Sequence, residues 1–129
     1  MQKETTPLTI VLIADNNDEH YLPMEEILLQ EGYAVERVRS SEDAMLRCSA
    51  LPPVRIALVD ASLPGKNGHL LTRHPRPAND PPLTFILLSG FSMAAVSLAL
   101  AWGCKEFLSK PVGRDELLAV VKKWAKAGN

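Results

Sequence analysis

No excess of charge marks this chain: 14 lysines and arginines stand against 15 aspartates and glutamates, a formal net charge of −1. That balance removes any general electrostatic reason to bind nucleic acid directly. Cysteine is scarce, and Cys48 and Cys104 show neither CxxC nor zinc-ligand spacing. They read as two reduced core thiols of a cytosolic protein. No apolar run is long enough to span a bilayer; even Phe91 to Trp102 falls short. Met1 to Pro7 is polar and lacks the basic-then-apolar form of a signal peptide. Repeats and low-complexity segments are absent. What is left is a cytoplasmic globular protein of 129 residues with an apolar share of 47%, enough for one domain with its own core.

What is present is a set of apolar runs that each end in a polar residue. Thr9 to Ala14 ends in Asp15, Ile56 to Val59 in Asp60, Phe85 to Leu88 in Ser89, and Phe107-Leu108-Ser109 in Lys110-Pro111. Unbroken apolar runs rich in β-branched residues read as strands buried on both faces. Tyr33 to Arg39 alternates instead, with Tyr33, Val35 and Val38 inward, which suits a strand nearer a sheet edge. Helical patterns lie between them. Asp18 to Glu31 is capped by Asp18 and stopped by Gly32, with Pro23 tolerable only in a first turn. A short helix opens at Ser40, with Asp43 three residues on, and ends before Pro52-Pro53. Two more run from Ser92 to Trp102, closed by Gly103, and from Arg114 to Lys126, with Leu117, Leu118, Val121, Trp124 and Ala125 on one face. His69 to His74 has room for a short helix, and Pro75, Pro77, Pro81 and Pro82 make the following stretch an irregular loop. Five strands alternating with five helices predict an α/β fold: a doubly wound, flavodoxin-like (βα)5 parallel sheet with helices on both faces.

In such a sheet the carboxyl-terminal strand ends share one edge, where ligands bind. Asp15, Asp60, Ser89 and Lys110 therefore converge. Two close carboxylates repel each other and invite a hard divalent cation, Mg²⁺. Ser89 offers a hydroxyl donor and Lys110 a point charge to phosphoryl oxygens, and Asp60 can act as a nucleophile to form an acyl phosphate.

At these residues the chain resembles the receiver (response-regulator, CheY-like) domain family of two-component signalling. The motifs are Asp15-Asn16, Asp60-Ala61-Ser62-Leu63-Pro64 with Gly68, Ser89-Gly90, and Phe107-Leu108-Ser109-Lys110-Pro111. The resemblance covers a domain of residues 8–126, leaving 1–7 and 127–129 as flexible termini. It implies Asp60 as phosphoacceptor and a metal site of Asp15, Asp60 and the Ser62 backbone carbonyl. Ser89 and Phe107 are then switch residues, Lys110 is the phosphate partner, and the Lys110-Pro111 bond is a candidate for cis. The implied activity is at most Mg²⁺-dependent self-phosphorylation and self-dephosphorylation of Asp60. The implied donor is a histidine kinase or a histidine phosphotransfer protein.

Two departures stand out. Asn16 occupies the place of a second acid that binds metal in many relatives; its amide oxygen can ligate Mg²⁺ but brings no charge. The family's full third helix is cut short by prolines. The helix from Ser92 to Trp102 carries no charge, so the face spanning 92–126 is a candidate surface for a homodimer or an output domain. The rival reading is a phosphorylation-independent receiver-like interaction module with a metal site weakened at Asn16. A flavodoxin-like ligand binder is disfavoured, because Asn16-Asn17-Asp18-Glu19 would repel a flavin phosphate. His20, His69 and His74 have no mutual metal spacing and read as solvated surface residues without a phosphotransfer role.

Overall fold

The computed structural model describes residues 8–63, 82–90 and 93–127. Its elements are β1 (Ile10–Ala14), α1 (Asp18–Gln30), β2 (Ala34–Val38), α2 (Ser41–Cys48), β3 (Ile56–Asp60), β4 (Thr84–Ser89), α3 (Met93–Trp102), β5 (Glu106–Ser109) and α4 (Arg114–Ala127). The five strands form one sheet in the order β2-β1-β3-β4-β5, and every neighbouring pair is parallel. The flavodoxin-like α/β architecture is therefore present. The short helix expected over 69–74, the loop after it, Gly68 and Ser92 lie outside the described residues.

The central strands are apolar on both faces because both faces are covered. One core joins Val11, Ile13, Ile56, Leu58, Ile86, Leu88 and Leu108 to Tyr21, Met24 and Leu28 of α1 and Leu117, Leu118 and Val121 of α4. The alternate residues Ile10, Leu12, Ala14, Ala57, Val59 and Phe85 pack with Ala44 and Cys48 of α2, and Trp102 and Cys104 lean on that second core. Every residue of β2 is only half-buried, as befits an edge strand. Neither Cys48 nor Cys104 is in a disulfide, and burial pushes the Cys104 thiol up to about 11, which leaves little reactive thiolate.

Two local readings need correction. The residue that caps α1 is Asn17, not Asp18: Asn17 has the extended backbone a cap requires, and its side chain accepts the Glu19 N–H at 2.8 Å. Asp18 is already helical, and its carboxylate is taken by Arg37 and Arg39. Pro23 lies inside α1 beyond the first turn. Its ring removes the N–H that would meet the Glu19 carbonyl, but this part of the helix is exposed and water can serve that carbonyl. Gly32, at φ +90, ends the helix as expected, with the N–H groups of Gly32 and Tyr33 returning to the carbonyls of Leu29 and Leu28. Ser40 caps α2 and accepts from the Asp43 N–H.

Candidate functional site

The strand order reverses between β1 and β3, each of which has the other as a neighbour while their connections leave in opposite directions. Such a switch point leaves a crevice beyond the carboxyl ends of the strands. Asp15 follows the last residue of β1 and Asp60 closes β3. From the far side, Lys110 directly follows β5 and is joined to Pro111 by a cis bond. A cavity of about 480 Å³ opens above them, lined by Asn16, Asn17, Asp18, Glu19, His20, Asp60, Ser62 and Lys110.

The three charged groups are close and shielded. Lys110 Nζ lies 3.0 Å from Asp60 Oδ2 and 3.6 Å from Asp15 Oδ2, with side-chain exposures of 12% for the lysine, 9% for Asp60 and 0% for Asp15. Asp15 Oδ1 accepts the Asn17 N–H at 2.9 Å, whereas its Oδ2 is buried without a hydrogen-bond partner. Asp60 Oδ1 accepts the Ser62 N–H, and Ser62 Oγ donates to the same carboxylate at 3.2 Å. Two carboxylates against one ammonium leave a net negative charge in a partly desolvated crevice, and this attracts a further cation. Among the described residues, no group of three or more His, Cys, Asp or Glu is placed to hold a metal. With Asn16 in place of an acid, the ends of β1 and β3 supply two carboxylates, Asp15 and Asp60, while Asp18 and Glu19 line the cavity further out.

The expected residues divide into two groups. Asp15, Asp60, Ser62 and Lys110 come together, and Asn16 lines the same cavity. Ser89 and Phe107 do not line it. Ser89 stands at the end of β4, one residue past Leu88, the register partner of Asp60, and its carbonyl accepts the Lys110 N–H at 2.8 Å. Phe107 is half-buried, in register with Leu87.

Two residues of the site escaped the sequence reading. His20 is not the solvated surface residue its sequence context predicts: it is half-buried and places Nδ1 3.0 Å from Lys110 Nζ. His69 and His74 lie outside the described residues. Arg37 of β2 clamps the loop that carries the acids: its Nε donates to the Asp15 carbonyl at 3.1 Å, Nη1 pairs with Asp18 at 2.6 Å, and the guanidinium stacks 4.2 Å over the Tyr21 ring. The Asp18 carboxyl is held below its usual range by this hydrogen bond and charge. Burial first, and then the Glu25 carboxylate that accepts its hydroxyl, pushes Tyr21 up to about 12. Arg37→Met keeps the side-chain length but loses the charged hydrogen bond to Asp15, and should cost about 1.5–3 kcal/mol in urea unfolding. Asp18→Asn should cost much less, since that partner is exposed.

The fold is a parallel α/β sheet with two acids and a lysine gathered at its switch point. The family model for the response regulator receiver domain matches residues 11–122. The chain belongs to that family and is a receiver domain of two-component signalling. It is 29% identical over 119 residues to the sensor histidine kinase GacS of Pseudomonas protegens, a match that takes in 88% of this chain and 13% of the kinase. The chain thus spans a small fraction of that relative's length. Among solved structures it is 25% identical to a CheY-like response regulator receiver domain protein from Methanospirillum hungatei, with TM-score 0.79 over 95% of this chain and 97% of that one. The receiver domain of sensor histidine kinase PA1611 from Pseudomonas aeruginosa, solved with magnesium in its active site cleft, shares the fold. Its TM-score is 0.80 at 22% identity, over 93% of this chain and 99% of that one. Among the described residues, no helix is long and apolar enough to cross a membrane.

Proposed function

We propose that Asp60 accepts a phosphoryl group from the phosphohistidine of a histidine kinase or histidine phosphotransfer protein, and that the 8–126 domain works as a cytoplasmic switch. The observation that carries this reading is the shielded trio of Asp15, Asp60 and Lys110 at the mouth of one crevice. In the transfer, an Asp60 carboxylate oxygen bonds to phosphorus as the donor's P–N bond breaks, and the leaving imidazole keeps the electron pair. Little covalent chemistry falls to the protein; positioning and charge stabilisation do most of it. Lys110, already against Asp60 Oδ2, supplies positive charge to the phosphoryl oxygens.

The donor set suits a hard divalent cation. Both acids offer oxygen, and the buried Asp15 Oδ2 has no hydrogen-bond partner. Asp15, Asp60, the Ser62 carbonyl and the Asn16 amide oxygen would hold Mg²⁺, which when bound supplies charge neutralisation to the phosphoryl group. A magnesium ion in the cleft of the PA1611 receiver domain supports the choice of metal. Phosphate on Asp60 then draws Ser89 and Phe107 toward the site and shifts a pre-existing equilibrium at the end of β4 and at α3. The 92–126 face carries the output, as a homodimer or against an output domain. Its exposed Leu100 and uncharged α3 support this.

Asn16 favours a second reading, a receiver-like interaction module that works without phosphorylation, since only two carboxylates serve the metal. Titration with Mg²⁺, then with Mg²⁺ and beryllofluoride, followed by Trp102 and Trp124 fluorescence, separates the two. A saturable change that disappears in Asp60→Asn supports the switch. A folded domain that responds to neither additive supports the module.

A further inference from the structure

We propose that His20 is a positioning residue for phosphoryl transfer, its imidazole Nδ1 holding the Lys110 ammonium against Asp60. An ammonium carries three N–H donors and no acceptor. One donor reaches Asp60 Oδ2 at 3.0 Å and one reaches His20 Nδ1 at 3.0 Å, while Asp15 Oδ2 stands further off at 3.6 Å. The contact needs a lone pair on His20 Nδ1, which the Nε2–H tautomer presents. A lysine head on a four-carbon stem has much rotamer freedom to lose, and an acceptor on the rigid first turn of α1 removes part of it. That turn is itself fixed by the Asn17 cap, whose carbonyl accepts the His20 N–H at 3.2 Å. Asn16 matters here as well. With one carboxylate fewer in the crevice, a neutral acceptor steadies Lys110 without adding charge.

The kinetic consequence rests on Asp60 as phosphoryl acceptor; the contact itself does not. The test compares the full chain with His20→Leu, which removes the acceptor, and His20→Asn, whose Oδ1 can take the place of Nδ1. Nitrogen-15 NMR of the wild type should show an unprotonated His20 Nδ1 and a Lys110 ammonium signal protected from exchange. That signal should vanish in His20→Leu and return in His20→Asn. Phosphorylation by a small phosphodonor should slow about 10-fold in His20→Leu and recover to within about 2-fold of wild type in His20→Asn. A ring protonated on Nδ1 overturns the proposal, and so does a Lys110 signal or rate unchanged by His20→Leu. A wild type that takes up no phosphoryl group overturns the reading of Asp60 and with it the kinetic consequence, while the Lys110 signal still decides the contact.

Discussion

Asp60→Asn should reduce phosphoryl uptake to background, a loss of at least about 1,000-fold, comparable to removal of a covalent nucleophile elsewhere. The amide keeps the shape of the carboxylate and can still accept from the Ser62 N–H and Oγ, which lie 3.2 Å from the carboxylate in the native protein. It has no free electron pair of comparable nucleophilicity. The fold should survive, because the substitution removes one of two buried negative charges that repel each other across Lys110. The check is acid-labile label from a small phosphodonor, read beside a far-UV spectrum and a thermal melt. A variant that keeps label would move the acceptor to another residue, with Asp15 and His20 the nearest alternatives.

Lys110→Met has the larger effect on stability. The methionine preserves the stem's packing and deletes the cation that, among the described residues, pairs with both acids. Asp15, fully shielded, and Asp60, 9% exposed, then lose the counter-charge that Lys110 supplies. Breaking a buried ion pair by removing one partner costs about 3–5 kcal/mol, and the open cavity above the acids places this case near the low end. Urea unfolding at neutral pH without divalent metal should therefore show a loss of about 3 kcal/mol. Added Mg²⁺ should recover part of it, since a cation that binds only the folded form stabilises that form. A loss under about 1 kcal/mol would mean that the trio is not coupled as its distances indicate.

The fold was legible because burial on both faces writes strands as unbroken apolar runs. Ile56 to Val59 and Phe85 to Leu88 needed no tertiary information, and neither did the polar residues that end them. The helix stops at Gly32 and Gly103 were also local, each set by a positive φ that glycine adopts freely. The shift from Asp18 to Asn17 as cap is a one-residue ambiguity between two good capping types, decided by Arg37 claiming the Asp18 carboxylate from β2. His20 and Arg37 were beyond a reading of local pattern. His20 meets Lys110 across 90 positions of chain, and Arg37 meets the Asp15 carbonyl across 22. The only sequence signal for His20 was its place in the first turn of a helix that begins directly after Asp15. Arg37 sat in an alternating edge strand, where a polar residue looks like an ordinary outward position. Its exposure of 14% and its stack on Tyr21 come from α1 folding over it.

The central claim is that Asp60 is a phosphoryl acceptor despite Asn16, and the most direct test is the intact mass of the wild-type chain after incubation with a small phosphodonor and Mg²⁺. Borohydride trapping and peptide mapping then locate the modified residue. The account predicts one phosphoryl group per chain, carried as an acyl phosphate on Asp60 and reduced there to homoserine. No mass gain in a folded chain, or a phosphoryl group found on any other residue, would contradict it.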